Sequence, residues 1–153
     1  MTGTSLSETD QQALTALLEE TPVLTLATLH PNGSPRATPL YFAHRDLTLV
    51  FLSDPASLHC QNLLADRRCA VALYPPVSDW RQLRGVQMRG TAALAEGAEA
   101  ADALNVFALR FPFVGQLPQA LAQAKPYRFT PDWARRIDNR QGFGFQQEWS
   151  LRA

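Results

Sequence analysis

The chain has 153 residues, of which 46% are hydrophobic and 18% are charged, and its 14 basic and 14 acidic residues cancel. This composition is typical of one globular domain and not of a disordered chain. Zero net charge gives no support for bulk attraction to nucleic acid or to an anionic membrane.

The N-terminal segment lacks the charged and apolar regions of a signal peptide, and no apolar run reaches the length of a membrane span. We therefore expect a cytoplasmic protein with no membrane partner. Ser7 followed by Asp10 is a variant of the capping box, and leucines supply an apolar stripe after it. The pattern predicts a helix from about Ser7 to Glu20, ended by Thr21-Pro22.

Three strands are predicted next. Val23 to Leu29 is strand-like, and the Asn-Gly pair that follows is a strong hairpin signal. The return strand runs from Arg36 to Ala43, and a third strand runs from Leu47 to Leu52. Hairpin-linked consecutive strands predict that the first half opens as an antiparallel meander.

A second helix is predicted from Asp54-Pro55 to about Ala65, because Asp favours the cap position and Pro the first helical position. The segments 69–74 and 83–94 have strand patterns on either side of a loop. The two cysteines, Cys60 and Cys69, are interpreted as reduced thiols, since two cysteines in an unsecreted chain do not make a disulfide framework.

The last third is mixed. A helix is predicted from Glu96 to Phe111, and a short one from Pro118 to Ala124. A strand pattern then begins at Tyr127, is interrupted at Pro131, and is followed by a last strand within 143–149. The order of elements predicts a mainly β protein in which helices are added to one antiparallel sheet or barrel.

The start of the second predicted helix is a candidate anion site. A helix N-terminus has unpaired N–H groups and a partial positive charge. Ser57 can donate its hydroxyl there, and His59 could pair with a phosphate and be held protonated by it. The alternative is a capped surface helix that carries an incidental histidine.

Arg36 and Thr38 share one face of the return strand, and a guanidinium beside a helix N-terminus is suited to a phosphate. The alternative is one more exposed arginine.

Other candidates for a functional site are weaker. The Gly142-Phe143-Gly144 segment lacks the rest of a dinucleotide fingerprint, and no Cys/His cluster has metal-ligand spacing, so no metal is predicted. A bound cofactor is the more economical source of any chemistry.

Together these segments resemble the FMN-binding split-barrel family, typified by pyridoxamine 5′-phosphate oxidase. The resemblance covers roughly residues 23–149 and lies in the order of elements: strand, turn, Arg-bearing strand, strand, Ser/Thr exit, short helix, strand. A closer likeness is to a small bacterial subgroup of uncharacterised members, carried by "SLHCQ", by Arg110-Phe111-Pro112 and by "DNRQGFGFQQEW". The fold class implied is an antiparallel split β-barrel of the FMN-binding type. It forms one domain over 1–153: N-terminal helix 1–21, barrel core 22–96, helical insertion 97–125 and closing strands 126–150.

The resemblance also implies an FMN site, since the family's positions carry over one by one. Arg36 would contact the phosphate, and the backbone of Ala37, Thr38 and Pro39 would edge the isoalloxazine ring. Leu52 and Ser53, at the end of the third strand, would touch the cofactor. Ser57, Leu58 and His59, at the start of the helix, would replace the Ser-Arg-Lys triplet that binds the phosphate in the family. In the family the flavin lies between two subunits, so a homodimer is implied.

Two departures from the family pattern matter. Replacing Ser-Arg-Lys by Ser57-Leu58-His59 removes two permanent charges, so FMN affinity is expected to be lower and pH-dependent. The Arg-x-His that grips the substrate phosphate in true pyridoxamine phosphate oxidases is missing, and "GFGF" occupies that region. Oxidation of pyridoxamine phosphate is therefore not expected. A family Gln falls near Gly85 by spacing, and Gln87 is two residues away.

Three hypotheses remain open. The first is an FMN-dependent oxidoreductase that transfers a hydride to or from an unknown small substrate. The second is a non-catalytic module that stores or senses flavin, haem or another cofactor. The third is a structural dimer with an empty cleft. The sequence does not distinguish FMN from a deazaflavin, and it does not reveal the substrate or the electron donor.

Overall fold

The computed structural model describes residues 5–116, 119 and 122–152. Within them there are eight strands, three α-helices and three short 3₁₀ turns. The helices are α1 (Glu8–Glu20), α2 (Leu58–Ala65) and α3 (Gly97–Arg110). The strands are β1 (Val23–Leu29), β2 (Pro35–Tyr41), β3 (Ala43–Arg45), β4 (Thr48–Ser53), β5 (Arg68–Leu73), β6 (Arg84–Leu94), β7 (Lys125–Asp138) and β8 (Gln146–Ser150).

All strands pair antiparallel in a single sheet of order β2-β1-β5-β6-β7-β4-β3, and β8 pairs with β7. The sheet curls, so that β2 near one end comes into contact with β4 near the other. The result is a curled half-barrel with helices added, and the predicted split-barrel fold class is confirmed.

The predicted meander of the first three strands is wrong. The hairpin of β1 and β2 is present, but β4 pairs with β7 and with the short β3. Residues on both faces of β4 are buried, as Val50 and Phe51 show, because helices pack against both sides of the sheet there. The strand β2 carries Pro35 and Pro39, which cannot donate to a ladder, and it lies at the edge.

The first helix begins as predicted. Ser7 is its N-cap, and the Ser7 hydroxyl accepts a hydrogen bond from the Asp10 N–H at 3.1 Å. The second helix begins later than predicted, at Leu58. A carboxylate oxygen of Asp54 accepts from the Ala56 N–H at 2.9 Å, which makes a turn, and Ser57 becomes the N-cap.

The strand β7 continues through Pro131, and the predicted interruption is present only as an irregularity of its pairing with β6. The strand β7 has a bulge there, because Gly90 of β6 lies opposite Pro131 and Arg89 opposite Trp133, so that Asp132 is an extra residue. The strands come close together there. A Cβ atom added at Gly90 would lie 2.1 Å from the Thr130 oxygen. The predicted helix over 118–124 lies largely outside the described residues.

Two buried clusters lie on opposite faces of the sheet. The main core packs α1 and α2 against the inner face, which includes Leu49 and Phe51 of β4. The smaller cluster packs α3 against the other face of β4, which includes Val50 and Leu52. The two faces of β4 therefore have different neighbours. None of the helices within the described residues is long and apolar enough to cross a membrane.

Candidate functional site

Three of the predicted site residues come together where β4 ends and α2 begins. His59 Nε2 lies 2.8 Å from Ser53 Oγ and 3.4 Å from Ser57 Oγ. Ser53 is the last residue of β4 and is buried, whereas Ser57 and His59 are half-buried. The turn at Asp54 reverses the chain between them. We call Ser53, Ser57 and His59 the serine–histidine cluster.

The first turn of α2 keeps its amide groups available. Ser57 occupies the N-cap position, but its side chain makes no capping hydrogen bond and lies near His59 instead. The amides that a capping serine would satisfy therefore have no such partner among the described residues. Free amides at the positive end of a helix dipole are suited to an anion.

Burial lowers the pKa of His59 below its ordinary value of 6.5. The neutral imidazole is therefore the main form at neutral pH in the free protein. Both serine hydroxyls lie at the same ring nitrogen, Nε2, so a neutral ring with Nε2 unprotonated can accept from either hydroxyl without adding charge. This differs from the protonated form that the sequence suggested for a bound phosphate.

A buried hydrogen bond ties α2 to β1. The Asn62 side-chain amide donates to Thr28 Oγ1 at 3.1 Å, and both side chains are almost completely buried. Sequence reasoning did not identify Thr28. The sequence nevertheless indicates its role, because Thr28 is a polar residue at the inward position that follows Leu24 and Leu26, on a strand face that is otherwise apolar.

Arg36 lies on the face of β2 that is turned toward α2. In the register of the hairpin it is directly opposite Thr28, and residues directly opposite each other share a face. Thr38 is opposite Leu26, so it shares this inner face, as the strand alternation predicts. Arg36 is exposed, and no acceptor among the described residues pairs with its guanidinium.

The other predicted residues point elsewhere. Ala37 and Pro39 are exposed on the outer face of β2. Leu52 faces α3 and packs against the smaller cluster, on the side of β4 opposite to Ser53. Leu58 is 49% exposed at the start of α2. The structure thus brings together the serine–histidine cluster and places Arg36 and Thr38 on the same inner side of the sheet.

Gln87 lies on β6, and the "GFGF" segment lies between β7 and β8, so neither belongs to the elements that form this corner. The Gln87 side-chain oxygen accepts a hydrogen bond from Arg135 at 3.4 Å on the outer face. Phe143 is 83% exposed and packs edge-to-face against Trp80, with ring centroids 5.6 Å apart. Within the part of the chain that the structure describes, no group of His, Cys, Asp or Glu side chains is arranged to hold a metal ion.

A curled antiparallel half-barrel with added helices defines the class of split barrels. The chain matches the family model described as pyridoxamine 5′-phosphate oxidase over residues 10–137, and it belongs to that family. The match includes the hairpin of β1 and β2, α2 and nearly all of β7. No curated protein sequence matches the chain.

Solved structures with the same fold have varied descriptions. A haem-binding protein from Mycobacterium smegmatis is 23% identical with a TM-score of 0.75, and the match covers 92% of this chain but only 56% of that one. The haem storage protein HutZ from Vibrio cholerae is 17% identical with a TM-score of 0.66, covering 84% and 91%. A Clostridium acetobutylicum protein related to general stress protein 26 is 14% identical with a TM-score of 0.72, covering 95% and 96%. At these identities the likeness concerns the fold.

Proposed function

We propose that this protein binds FMN, with the phosphate at the serine–histidine cluster and Arg36, and acts as a flavin-dependent oxidoreductase on an unknown small substrate. One observation carries the proposal. The polar groups at this corner can all donate hydrogen bonds. The groups that would normally satisfy the helix amides and the arginine, a capping hydroxyl and a carboxylate, are not paired with them among the described residues.

The donor set fits a phosphate monoester. The amides of the first turn of α2 supply fixed N–H groups, Ser57 supplies a hydroxyl, and Arg36 supplies a permanent positive charge. The Ser53 hydroxyl, 2.8 Å from His59 Nε2, orients the imidazole. The charge is modest, because the cluster itself is neutral, so we expect weaker binding than at a site with several permanent cations.

The bound flavin would supply hydride transfer, and the chain would bind and orient it and exclude water from one side. The serine–histidine cluster lies at the phosphate end, so it is assigned to binding and not to proton transfer with the substrate. The lack of an Arg-x-His phosphate grip, with "GFGF" in its place, argues against pyridoxamine phosphate as the substrate.

We further propose a homodimer in which the partner chain covers the flavin. Arg36, Ala37 and Pro39 are all exposed in one chain, so a ring laid along β2 would remain open to solvent on one side. A second copy is the occupant that the family geometry suggests. Sedimentation of the purified protein should show a dimer, and a monomer that binds FMN fully would contradict this arrangement.

The second candidate is a haem-binding or haem-storing module, favoured by the descriptions of two proteins that share the fold. The three histidines are already engaged locally: His30 Nδ1 accepts from the Asn32 N–H, His44 Nδ1 lies 3.0 Å from the Asp46 oxygen, and His59 belongs to the cluster. Each keeps its other ring nitrogen without a hydrogen bond among the described residues, and a haem iron needs only one nitrogen, so the histidines do not exclude this module. FMN is preferred because the donors at the corner fit its phosphate.

Titration of the purified protein with FMN, riboflavin and haemin distinguishes these functions. FMN should bind saturably, quench its fluorescence and bind more tightly than riboflavin, because only FMN carries the phosphate. Reduction of the bound flavin by NAD(P)H without oxygen would support an oxidoreductase. Saturable binding of haemin with no binding of FMN would instead support the storage module and reject the proposal.

A further inference from the structure

A cavity of about 370 Å³ lies on the flank of α2 away from His59, between this helix and the end of β6. Its floor is formed by buried residues, Cys60 and Leu63 of α2 and Tyr127 of β7. In α2, positions 60 and 64 project to one side of the buried stripe and positions 59 and 62 to the other. The cavity is therefore separate from the serine–histidine cluster, and its size is within the range of small-molecule sites.

Two leucines beside this cavity are unusually exposed. Leu64 is 82% exposed and Leu94 is 43% exposed, and both line it. Apolar side chains that flank a cavity with an apolar floor favour a ligand with an apolar body, since such a ligand would remove both from water. Burying both leucine side chains removes enough apolar surface from water for weak binding of a small molecule.

A single cation at the mouth indicates the polar end of that ligand. Arg67 lines the cavity, and its main-chain oxygen accepts a hydrogen bond from the Ala92 N–H at 2.9 Å, which fixes its position. Its neighbour Arg68 is bound to Asp66 through Nε and Nη2, at 3.1 and 2.8 Å. Arg67 has no such partner among the residues described, so its guanidinium is available.

Glu96 also lines the cavity and limits the charge that the ligand can carry. A dianion near this carboxylate would be repelled, whereas one carboxylate at Arg67 would be balanced. From these observations we propose that the cavity binds a small monocarboxylate with an apolar body, its carboxylate at Arg67 and its body between Leu64 and Leu94. This proposal does not depend on FMN binding.

Octanoate is a suitable probe, with octanol to remove the charge and acetate to remove the apolar body. Calorimetric titration of the full chain should give saturable octanoate binding on the order of 0.1–1 mM and much weaker binding of both controls. Absence of saturable octanoate binding, or octanol binding as tight as octanoate binding, would overturn the proposal.

Two pairs of exposed substitutions locate the site without disturbing the core. Arg67→Gln should weaken octanoate binding about fivefold, while Arg68→Gln, which removes an arginine already paired with Asp66, should leave it unchanged. Leu64→Ser should weaken it about tenfold, while Leu109→Ser, an 84% exposed leucine of α3, should have no effect. Glu96→Gln should strengthen it. Equal effects within either pair would reject this location.

Discussion

Two arginines that lie beside helices are used in opposite ways. Arg110, at the end of α3, donates from Nη2 to the main-chain oxygens of Leu18, Glu19 and Thr21, at 2.8, 3.1 and 3.1 Å. Its guanidinium also lies 4.9 Å from the ring centroid of Phe42. Arg36 lies on the inner face of β2, directly opposite Thr28, and has no comparable partner among the described residues.

The difference follows from the ends of the helices concerned. The last carbonyl groups of α1 are unpaired acceptors with a partial negative charge, so they bind a cation directly, and Arg110 acts as their cap. The start of α2 presents donors and a partial positive charge, so a nearby arginine gains nothing from it. The two become mutually favourable only when an anion lies between them. The arginine that donates to main-chain oxygens thus has a structural role, and Arg36, which has no such acceptor among the described residues, is the one that we propose for binding.

The largest effect is expected at Arg110. Replacing it with alanine leaves three carbonyl groups without their donor and removes the contact with Phe42, so Arg110→Ala should lower the free energy of unfolding by about 3 kcal/mol. Urea denaturation measures this loss. Arg45→Ala is the control, since its ion pair with Asp102 is exposed and worth at most about 1 kcal/mol. Similar small losses in both variants would show that Arg110 is not a cap.

The opposite behaviour is expected at Arg36. Because no described residue depends on it, Arg36→Ala should change the free energy of unfolding by less than about 0.5 kcal/mol. The substitution should weaken FMN binding at least tenfold, as expected for the loss of one charge-assisted hydrogen-bond pair, and leave riboflavin binding nearly unchanged. Fluorescence titration of both flavins measures this. Arg152→Ala, which affects an exposed arginine bound to Asp132, is the matched control. Equal losses for the two flavins would contradict a phosphate contact.

Local signals in the sequence predicted the elements well. The bounds of β1 and the Ser7 cap agree with the structure because alternation and capping depend on residues a few positions apart. The pairing of β4 with β7 could not be predicted in this way, since it joins residues more than seventy positions apart. The start of α2 was misplaced because Asp54 and Ser57 are both good capping residues, and a local turn took the first of them.

The candidate site was predicted in part for a similar reason. Ser57 and His59 are two residues apart in sequence, and their proximity follows from a helix start. Thr28 was missed because its partner Asn62 belongs to a different element. Strand geometry also limits the Leu52-Ser53 pair: adjacent strand residues face opposite sides, so only Ser53 can point its side chain into the corner. Leu52 packs against α3, and this contact could not be predicted from local sequence patterns because α3 is distant in sequence.

The smallest effect on stability is expected at His59, and it depends on pH because the charge of this side chain changes with pH. Burial lowers the pKa of His59, so below pH 6.5 the unfolded chain binds more protons than the folded one. Its contribution to stability is therefore fully present above pH 6.5 and decreases as the pH falls toward the folded pKa. Urea denaturation at pH 5 and pH 8 should show a smaller pH-dependent loss in His59→Gln than in the natural protein.

FMN binding should oppose the lowering of the His59 pKa if the phosphate lies at the cluster. A bound anion favours the imidazolium, so FMN binding should raise the pKa of His59 and be accompanied by proton uptake as the pH falls. His59→Ala should therefore weaken FMN more at pH 6 than at pH 8, by a factor of a few, with the larger difference at still lower pH because burial has moved the titration below 6.5. Equal losses at every pH would mean that His59 only orients Ser53 and Ser57. The phosphate would then depend for its positive charge on Arg36 alone.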